Sequence, residues 1–350
     1  MAAMSMSAVS ADGLCVLSAV SGGVLRVSTR AAAGLPWGEA AEVRVDVRAE
    51  ITCVCVAPNA AGEGRAFAIA LADGGVRIVR QGDEGAFEVV ASPDDGGRAS
   101  RAKAAGGPAV DAAFAPGDTS AGTCLAVLSA DGGVRLFAPR AKTSDWECVE
   151  ALASAAPGGA GASLAWRVPN RAAADLCGNA EDAAHLTRAW LAVGGASGVS
   201  VLAHRPELRR WERIALIETD APVTALCFRP PTGALADGRE CLAVAVGPTV
   251  TRYALVPRDV HAPGVANAPA GAAFAAAAVP LAPDAPYART ALLHPGVVWR
   301  LEYNDASTAL VACFEHAPSS PAVAYVWAPD LGGEWAVRAR VAADGALLPP

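Results

Sequence analysis

Short apolar runs separated by glycine-rich turns recur along the chain. The runs Leu125–Ser129 and Val134–Phe137 flank the turn Ala130-Asp131-Gly132-Gly133. A nearly identical sequence occurs at Leu71–Val79, around Asp73-Gly74-Gly75. Runs this short, bounded by turn residues, predict β-strands joined in tight hairpins. Self-similarity at a spacing of roughly 40 to 60 residues is typical of stacked supersecondary units.

The repeat predicts one domain, residues 1–343, built from six units of about four strands each. The units cover about residues 1–45, 46–90, 108–155, 162–218, 221–258 and 291–341. We expect residues 259–290 to form an Ala- and Pro-rich surface loop and residues 344–350 a tail. The longest charge-free stretch, 262–283, is interrupted by three prolines. It therefore favours a loop over a membrane-spanning helix, and no membrane insertion is expected.

Six small antiparallel sheets fit a radial array better than a sandwich. Blades of a propeller bury both faces against their neighbours, which suits strands rich in Ala and Val. Tryptophans recur near the start of the outer strand in three units, at Trp146, Trp211 and Trp335. We expect each to anchor that strand, although together they could form a binding stripe. The sequence thus predicts an all-β, six-bladed, WD-repeat-like β-propeller.

Charge and cysteine usage narrow the function classes. A formal net charge of −7 over 350 residues gives no basic footprint for a phosphate backbone, which argues against direct nucleic-acid binding. The nine cysteines form no CxxC pair and lie mostly in apolar runs. This pattern indicates buried free thiols and disfavours a disulfide framework or a zinc knuckle.

Residues that could carry chemistry have simpler structural interpretations. Asp73 and Asp131 could point into a central channel, but an Asp before Gly-Gly is typical of an Asx turn. Cys53 and Cys55 share one strand face and could begin a metal site, yet no second pair completes it. His294, like the other four histidines, lacks metal-ligand spacing, and we expect it to make a turn hydrogen bond. No catalytic, cofactor or metal residue is therefore predicted.

Three units also resemble a known family. The third, with Phe114-Ala115-Pro116, the Asp131-Gly132 turn and Trp146, resembles the third blade of WD-repeat nucleoporins homologous to the COPII outer-coat propeller. The sixth carries His294-Pro295-Gly296-Val297-Val298-Trp299-Arg300-Leu301, similar to that family's His-x-x-x-Val-Trp-Arg-Val blade opening. The fifth agrees through Phe228-Arg229-Pro230. The Trp-Asp dipeptide is absent, and the short lead-in leaves open whether blade one supplies all of its strands.

The resemblance implies a non-enzymatic scaffold subunit of the nuclear pore outer ring, the Y complex, at the nuclear envelope. Such a subunit supports transport of mRNA and protein. Its propeller has an open seam between blades one and six, which an α-helical nucleoporin fills with an inserted blade. The implied partners include other Y-complex nucleoporins. A second role in a vacuolar or lysosomal growth-signalling complex is also implied.

Trp299 and Arg300, on the inner strand of blade six, are the leading interface candidates, because Trp and Arg are enriched in binding hot spots. Val24 and Arg26 of blade one are candidates across the expected seam. For Trp299, packing between blades is the competing interpretation. Two other functions stay open. One is a COPII-type vesicle-coat propeller, and the other is a propeller enzyme, which the Val- and Ala-rich inner strands disfavour.

Overall fold

A computed structural model describes most of the chain. The described residues are 7–10, 14–20, 22–32, 34–45, 49–58, 65–82, 86–92, 107–117, 123–140, 146–170, 174–175, 187–231, 240–256, 277–280, 291–318, 320–330 and 333–349. Their strands form six small sheets with antiparallel pairing. Each sheet is a blade, so the predicted all-β, six-bladed β-propeller class is confirmed. No helix long and apolar enough to cross a bilayer occurs among the described residues.

The first compact unit, residues 1–155 and 159–164, holds blades one to three, each of four strands in chain order. Blade one is β1 (Ser7–Val9), β2 (Cys15–Val20), β3 (Val24–Thr29) and β4 (Ala41–Arg44). Blade two is β5 (Ile51–Val56), β6 (Ala66–Leu71), β7 (Val76–Gln81) and β8 (Phe87–Ala91). Blade three is β9 (Ala109–Phe114), β10 (Leu125–Ser129), β11 (Val134–Pro139) and β12 (Trp146–Leu152). Blade one therefore supplies four strands of its own.

The second unit, residues 156–158 and 165–350, holds blades four to six, and the unit boundary falls inside the first strand of blade four. Blade four is β13 (Gly161–Trp166), β14 (Trp190–Gly195), β15 (Gly198–Arg205) and β16 (Arg210–Glu218). Blade five is β17 (Val223–Phe228), β18 (Glu240–Val246), β19 (Thr249–Val256), β20 (Ala277–Pro280) and β21 (Ala291–Leu293). Blade six is β22 (Val298–Tyr303), β23 (Leu310–Phe314), β24 (Ala322–Pro329), β25 (Trp335–Ala342) and β26 (Leu347–Leu348).

Three strands lie where the sequence predicts none. One is β21, which pairs with β19 of blade five although residue 291 is predicted to begin blade six. The fourth strand of blade five, β20, falls inside the expected loop 259–290 and pairs with β19. The sequence of β20, Ala-Ala-Val-Pro, has no alternation of apolar and polar residues that would predict a strand. In the expected tail, β26 pairs with β25 after a turn in which Asp344 Oδ1 accepts a hydrogen bond from the Ala346 N–H at 2.9 Å.

Alanine richness has a packing reason in the second strand of blades two and five. In β6, Phe67, Ile69 and Leu71 pack toward blade one, whereas Ala68 and Ala70 face large side chains of blade three. The same division occurs in β18, where Leu242 and Val244 pack against blade four and two alanines face blade six. Alternate strand residues point to opposite faces, so one strand serves two cores, each between adjacent blades.

Candidate partner-binding surface of blade six

A β-bulge recurs in the inner strand of four blades. The ladder skips one residue between Ile51 and Cys53, between Val223 and Ala225, and between Val298 and Arg300. Blade three shows the equivalent shift in β9. The extra residues are Thr52, Val110, Thr224 and Trp299. A bulge leaves one residue unpaired and re-aims its side chain, so this position repeats through the fold.

The side chain at the bulge determines whether that position is hydrogen-bonded within its own sheet or exposed to solvent. Thr52 donates its hydroxyl to the Ala70 carbonyl at 3.1 Å, and Thr224 donates to the Ala245 carbonyl at 3.3 Å. Each threonine side chain therefore makes a hydrogen bond within its own sheet at the bulge, and both threonines are half-buried. Trp299 is the largest of the four residues and yet is 45% exposed. The bulge of blade six thus displays an indole ring toward solvent.

Exposed side chains also lie close to Trp299 in the sequence. Leu293 at the end of β21 and Val297 just before β22 are exposed apolar residues, and Arg300 and Glu302 form an exposed ion pair at 3.1 Å. We call these five residues the blade-six surface. It combines apolar area with a guanidinium and a carboxylate, and its Trp and Arg are residue types enriched in protein–protein interfaces.

The connection carrying this surface is fixed by its backbone. The N–H of Val298 donates to the Gly247 carbonyl at 2.8 Å, and the N–H of Glu315 donates to the Val297 carbonyl at 2.9 Å. At Gly296 a Cβ atom would lie 2.3 Å from the Glu315 carbonyl oxygen, so only glycine allows this approach. The exposed side chains therefore stand on a rigid support.

His294 is the buried anchor of the same connection. Its ring packs against Phe314, Tyr325 and Trp327, with centroid separations of 5.6–5.7 Å. Trp327 donates its indole N–H to His294 Nε2 at 2.9 Å. Because an indole N–H can only donate, Nε2 is the acceptor, and the proton on Nδ1 is donated to the Pro248 carbonyl at 3.1 Å. These two hydrogen bonds join the ring to residues 46 and 33 positions away in the sequence, so they are tertiary contacts and not the turn hydrogen bond that the sequence predicts.

The surroundings of His294 keep its imidazole neutral. Burial lowers its pKa below the ordinary value, and hydrogen bonds to the Pro248 and Leu292 backbone offset part of that effect. A proton on Nε2 would also face the indole N–H of Trp327, placing two donors against each other. The neutral ring is therefore the form that holds the connection.

The other interface candidates lie on β3. Val24 is half-buried, and Arg26 is exposed and donates to Glu42 of the neighbouring strand at 3.0 Å. Val24 and Arg26 belong to the first unit, and Trp299 and Arg300 belong to the second. Their arrangement around one seam stays a prediction.

The structure confirms the turn interpretation of the two aspartates. Asp73 Oδ1 accepts the Gly75 N–H at 2.8 Å, and Asp131 Oδ1 accepts the Gly133 N–H at 3.1 Å. Both are Asx turns, in which the side chain stabilises the hairpin.

Asp111, which no sequence motif singles out, contacts residues of several strands in the first unit. Its Oδ2 accepts the Leu164 N–H at 2.7 Å, and its Oδ1 accepts its neighbour Ala112 N–H at 2.9 Å. The thiol of Cys53 lies 3.6 Å from Oδ1. An Asp inside an apolar strand was the available sequence signal, since such a carboxylate needs donors.

The cysteines described by the structure are free thiols. Cys53 and Cys55 pack against the core between blades two and three. Burial raises the pKa of Cys124 and of Cys227 to about 12, with smaller contributions from nearby charges. Among the described residues, no three or more His, Cys, Asp or Glu side chains gather as metal ligands would.

The recurring tryptophans anchor outer strands as predicted. Trp146 packs edge-on against Phe114, and Trp211 packs against Trp166. Trp335 is buried, with the Arg252 guanidinium 4.2 Å from its ring centroid. Each ring joins an outer strand to its own or the adjacent blade.

Comparison of the sequence with models of known protein families and with curated protein sequences finds no match. The fold therefore defines the class, a six-bladed β-propeller, and function is argued from the surfaces of this chain.

Proposed function

We propose that this chain is a non-enzymatic scaffold propeller that binds a partner protein through the blade-six surface. The observation that carries the proposal is Trp299, an indole 45% exposed on a bulge whose equivalents in blades two and five are closed by threonine. Burying an aromatic ring of this size is a large source of binding free energy, and Trp and Arg dominate hot spots. The rigid connection lowers the entropic cost of binding.

We further propose that the partner is an α-helical scaffold nucleoporin that adds strands beside blade six, and that the assembly is the Y complex of the nuclear pore. The support is the family resemblance of blades three, five and six, together with the position of Trp299 and Arg300 on β22. Strand addition suits such a site, because main-chain hydrogen bonds supply affinity and side chains supply specificity. In this proposal the protein acts at the nuclear envelope in mRNA and protein transport.

The test compares Trp299→Ala with Trp37→Ala by quantitative affinity purification of the tagged full chain from its own cells. Trp37 is a matched control, since it is 42% exposed in blade one and stacks under Arg30. We expect the wild type and Trp37→Ala to recover helical nucleoporins. Trp299→Ala should lose about tenfold or more of that recovery, because hot-spot truncation costs about 2 kcal/mol or more. Circular dichroism checks that both variants fold.

The same experiment separates the alternatives. Recovery of vesicle-coat cage subunits without nucleoporins would replace the pore assignment by the coat assignment. Recovery of a vacuolar or lysosomal complex alone would assign the signalling role. Equal losses in the two variants would remove the blade-six surface from the proposal.

A further inference from the structure

The hairpin β15–β16 of blade four concentrates arginine in an otherwise acidic protein. The hairpin, residues 198–218, contains four arginines, three glutamates and no lysine, which leaves a local formal charge of +1 against −7 for the whole chain. Its arginines are Arg205, Arg209, Arg210 and Arg213, and Arg188 precedes β14. All lie in the second unit, away from the blade-six residues in sequence.

The hairpin loop, Pro206–Arg209, is held by turn hydrogen bonds. The Leu208 N–H donates to the Arg205 carbonyl at 3.1 Å, and the Arg209 N–H donates to the Pro206 carbonyl at 3.3 Å. Arg209 has a φ of +50°, in the left-handed region that ends such turns. Leu208 is 54% exposed at the tip. The loop therefore presents an apolar side chain beside arginines in a defined conformation.

One carboxylate orders two of the guanidinium groups. Glu212 pairs with Arg205, whose Nε lies 3.0 Å from Oε2, and its other oxygen pairs with Arg210. Arg205 also approaches Glu207 at 3.6 Å. These two arginines and two glutamates balance in formal charge, and the ion pairs hold the guanidinium groups in place.

The remaining arginines add unbalanced charge. Arg209 and Arg213 are exposed, and no ion pair involves either of them among the described residues. The pKa of Glu207 is lowered, first by a hydrogen bond from its own backbone and further by Arg188 and Arg205. Only the smaller contributions to this pKa, from Arg188 and Arg205, reflect nearby positive charge.

We propose that this hairpin binds an acidic segment of a partner protein that carries an apolar side chain among its Asp and Glu residues. Planar guanidinium groups bind carboxylates in two-point contacts, which explains arginine and no lysine in the cluster. Leu208 supplies the apolar contact.

A nucleic-acid ligand fits the hairpin less well. The ring of Trp211, the one aromatic side chain between Arg205 and Arg213, is half-buried and already packs against Trp166 and His204, which limits the surface that it could offer to a base. The net charge of −7 also opposes approach of a polyanion at long range.

The test measures binding of a fluorescein-labelled peptide of about 12 residues, alternating Asp or Glu with Leu, to the full chain by fluorescence anisotropy. We expect binding that weakens between about 50 mM and about 500 mM NaCl. The double variant Arg209→Glu/Arg213→Glu should weaken it roughly tenfold. The control Arg44→Glu/Arg338→Glu makes the same change in net charge at exposed arginines elsewhere and should leave the affinity unchanged. Leu208→Ala should weaken binding a few-fold.

Several results would overturn the proposal. One is no anisotropy change, and another is an equal loss in the hairpin and control variants. A third is binding of a uridine oligonucleotide that the hairpin variant abolishes while the peptide does not bind, which would reassign the hairpin to nucleic acid. Thermal unfolding of each variant shows that a loss is not unfolding. None of these results depends on Trp299, so this proposal and the blade-six proposal fail separately.

Discussion

The indole N–H of Trp327 points at Nε2 of His294, 2.9 Å away, and thereby fixes which nitrogen of that histidine carries its proton. The bond joins β24 to the connection between blades five and six, inside a ring cluster with Phe314 and Tyr325. The exposed Leu293 and Val297 stand on either side of this buried anchor. The stability of the connection should therefore depend on the charge of one imidazole.

The first prediction concerns pH. The pKa of His294 is about 6.5 when unfolded and lower when folded, because burial opposes the charge. Its contribution to stability is complete above about pH 6.5 and is lost as the pH falls toward the folded pKa, since the unfolded chain binds the proton first. The urea midpoint should thus decline from about pH 7.5 to about pH 5.5, and His294→Phe should flatten that decline.

His204 provides the control for this measurement. Burial also lowers its pKa, with Glu207 opposing and Arg188 adding to that effect. His204→Phe should keep the part of the pH dependence that belongs to His294. His294→Phe should also cost about 1–3 kcal/mol at neutral pH, because it leaves the Trp327 N–H and the Pro248 carbonyl unpaired. An unchanged pH profile in His294→Phe would contradict the assignment.

A second prediction compares two aspartate-to-asparagine changes. Asp111→Asn should lower the free energy of unfolding by about 1–3 kcal/mol, because an amide has one oxygen for donors that approach both carboxylate oxygens. Asp73→Asn should change it by less than about 0.5 kcal/mol, since Asn also forms Asx turns. Urea unfolding of the two variants measures the difference. Equal losses of unfolding free energy in the two variants would show that the hydrogen bonds of Asp111 contribute no more to stability than an Asx turn does.

The third prediction concerns thiol reactivity. With a pKa of about 12, the thiols of Cys124 and Cys227 are ionised to roughly one part in ten thousand at about pH 8. Iodoacetamide should therefore label these two cysteines last in the folded protein, and rapidly in urea. Peptide mapping by mass spectrometry follows each site. Early labelling of Cys227 in the native protein would show that blade five opens readily.

Sequence patterns predicted the blades wherever both a strand and its turn carry a local signal. The β10–β11 hairpin is an example, because its apolar runs and its Asp131-Gly132 turn lie within one short stretch. The pattern failed for β20, whose alanines carry no periodicity and whose pairing depends on β19. A strand of this kind forms because the neighbouring strand, here β19, offers backbone groups for pairing, and not because of its own side chains.

The site was predictable only in its most prominent residues. Residue type alone singles out Trp299 and Arg300 as interface candidates, but the bulge that exposes Trp299 depends on the register between β22 and β23. The partner of His294 lies 33 residues away, and Asp111 meets Leu164 53 residues away. Contacts at such separations are set by tertiary packing, and no local pattern encodes them.

The recurring bulge has a consequence for how this fold can diversify. Threonine, valine, threonine and tryptophan occupy the same place in blades two, three, five and six, while the residues around them keep their pairing with the neighbouring strand. A residue outside the pairing ladder can be exchanged without shifting the strand register. Each of these four blades thus holds one position at which evolution or a protein engineer can install a recognition residue without redesigning the packing.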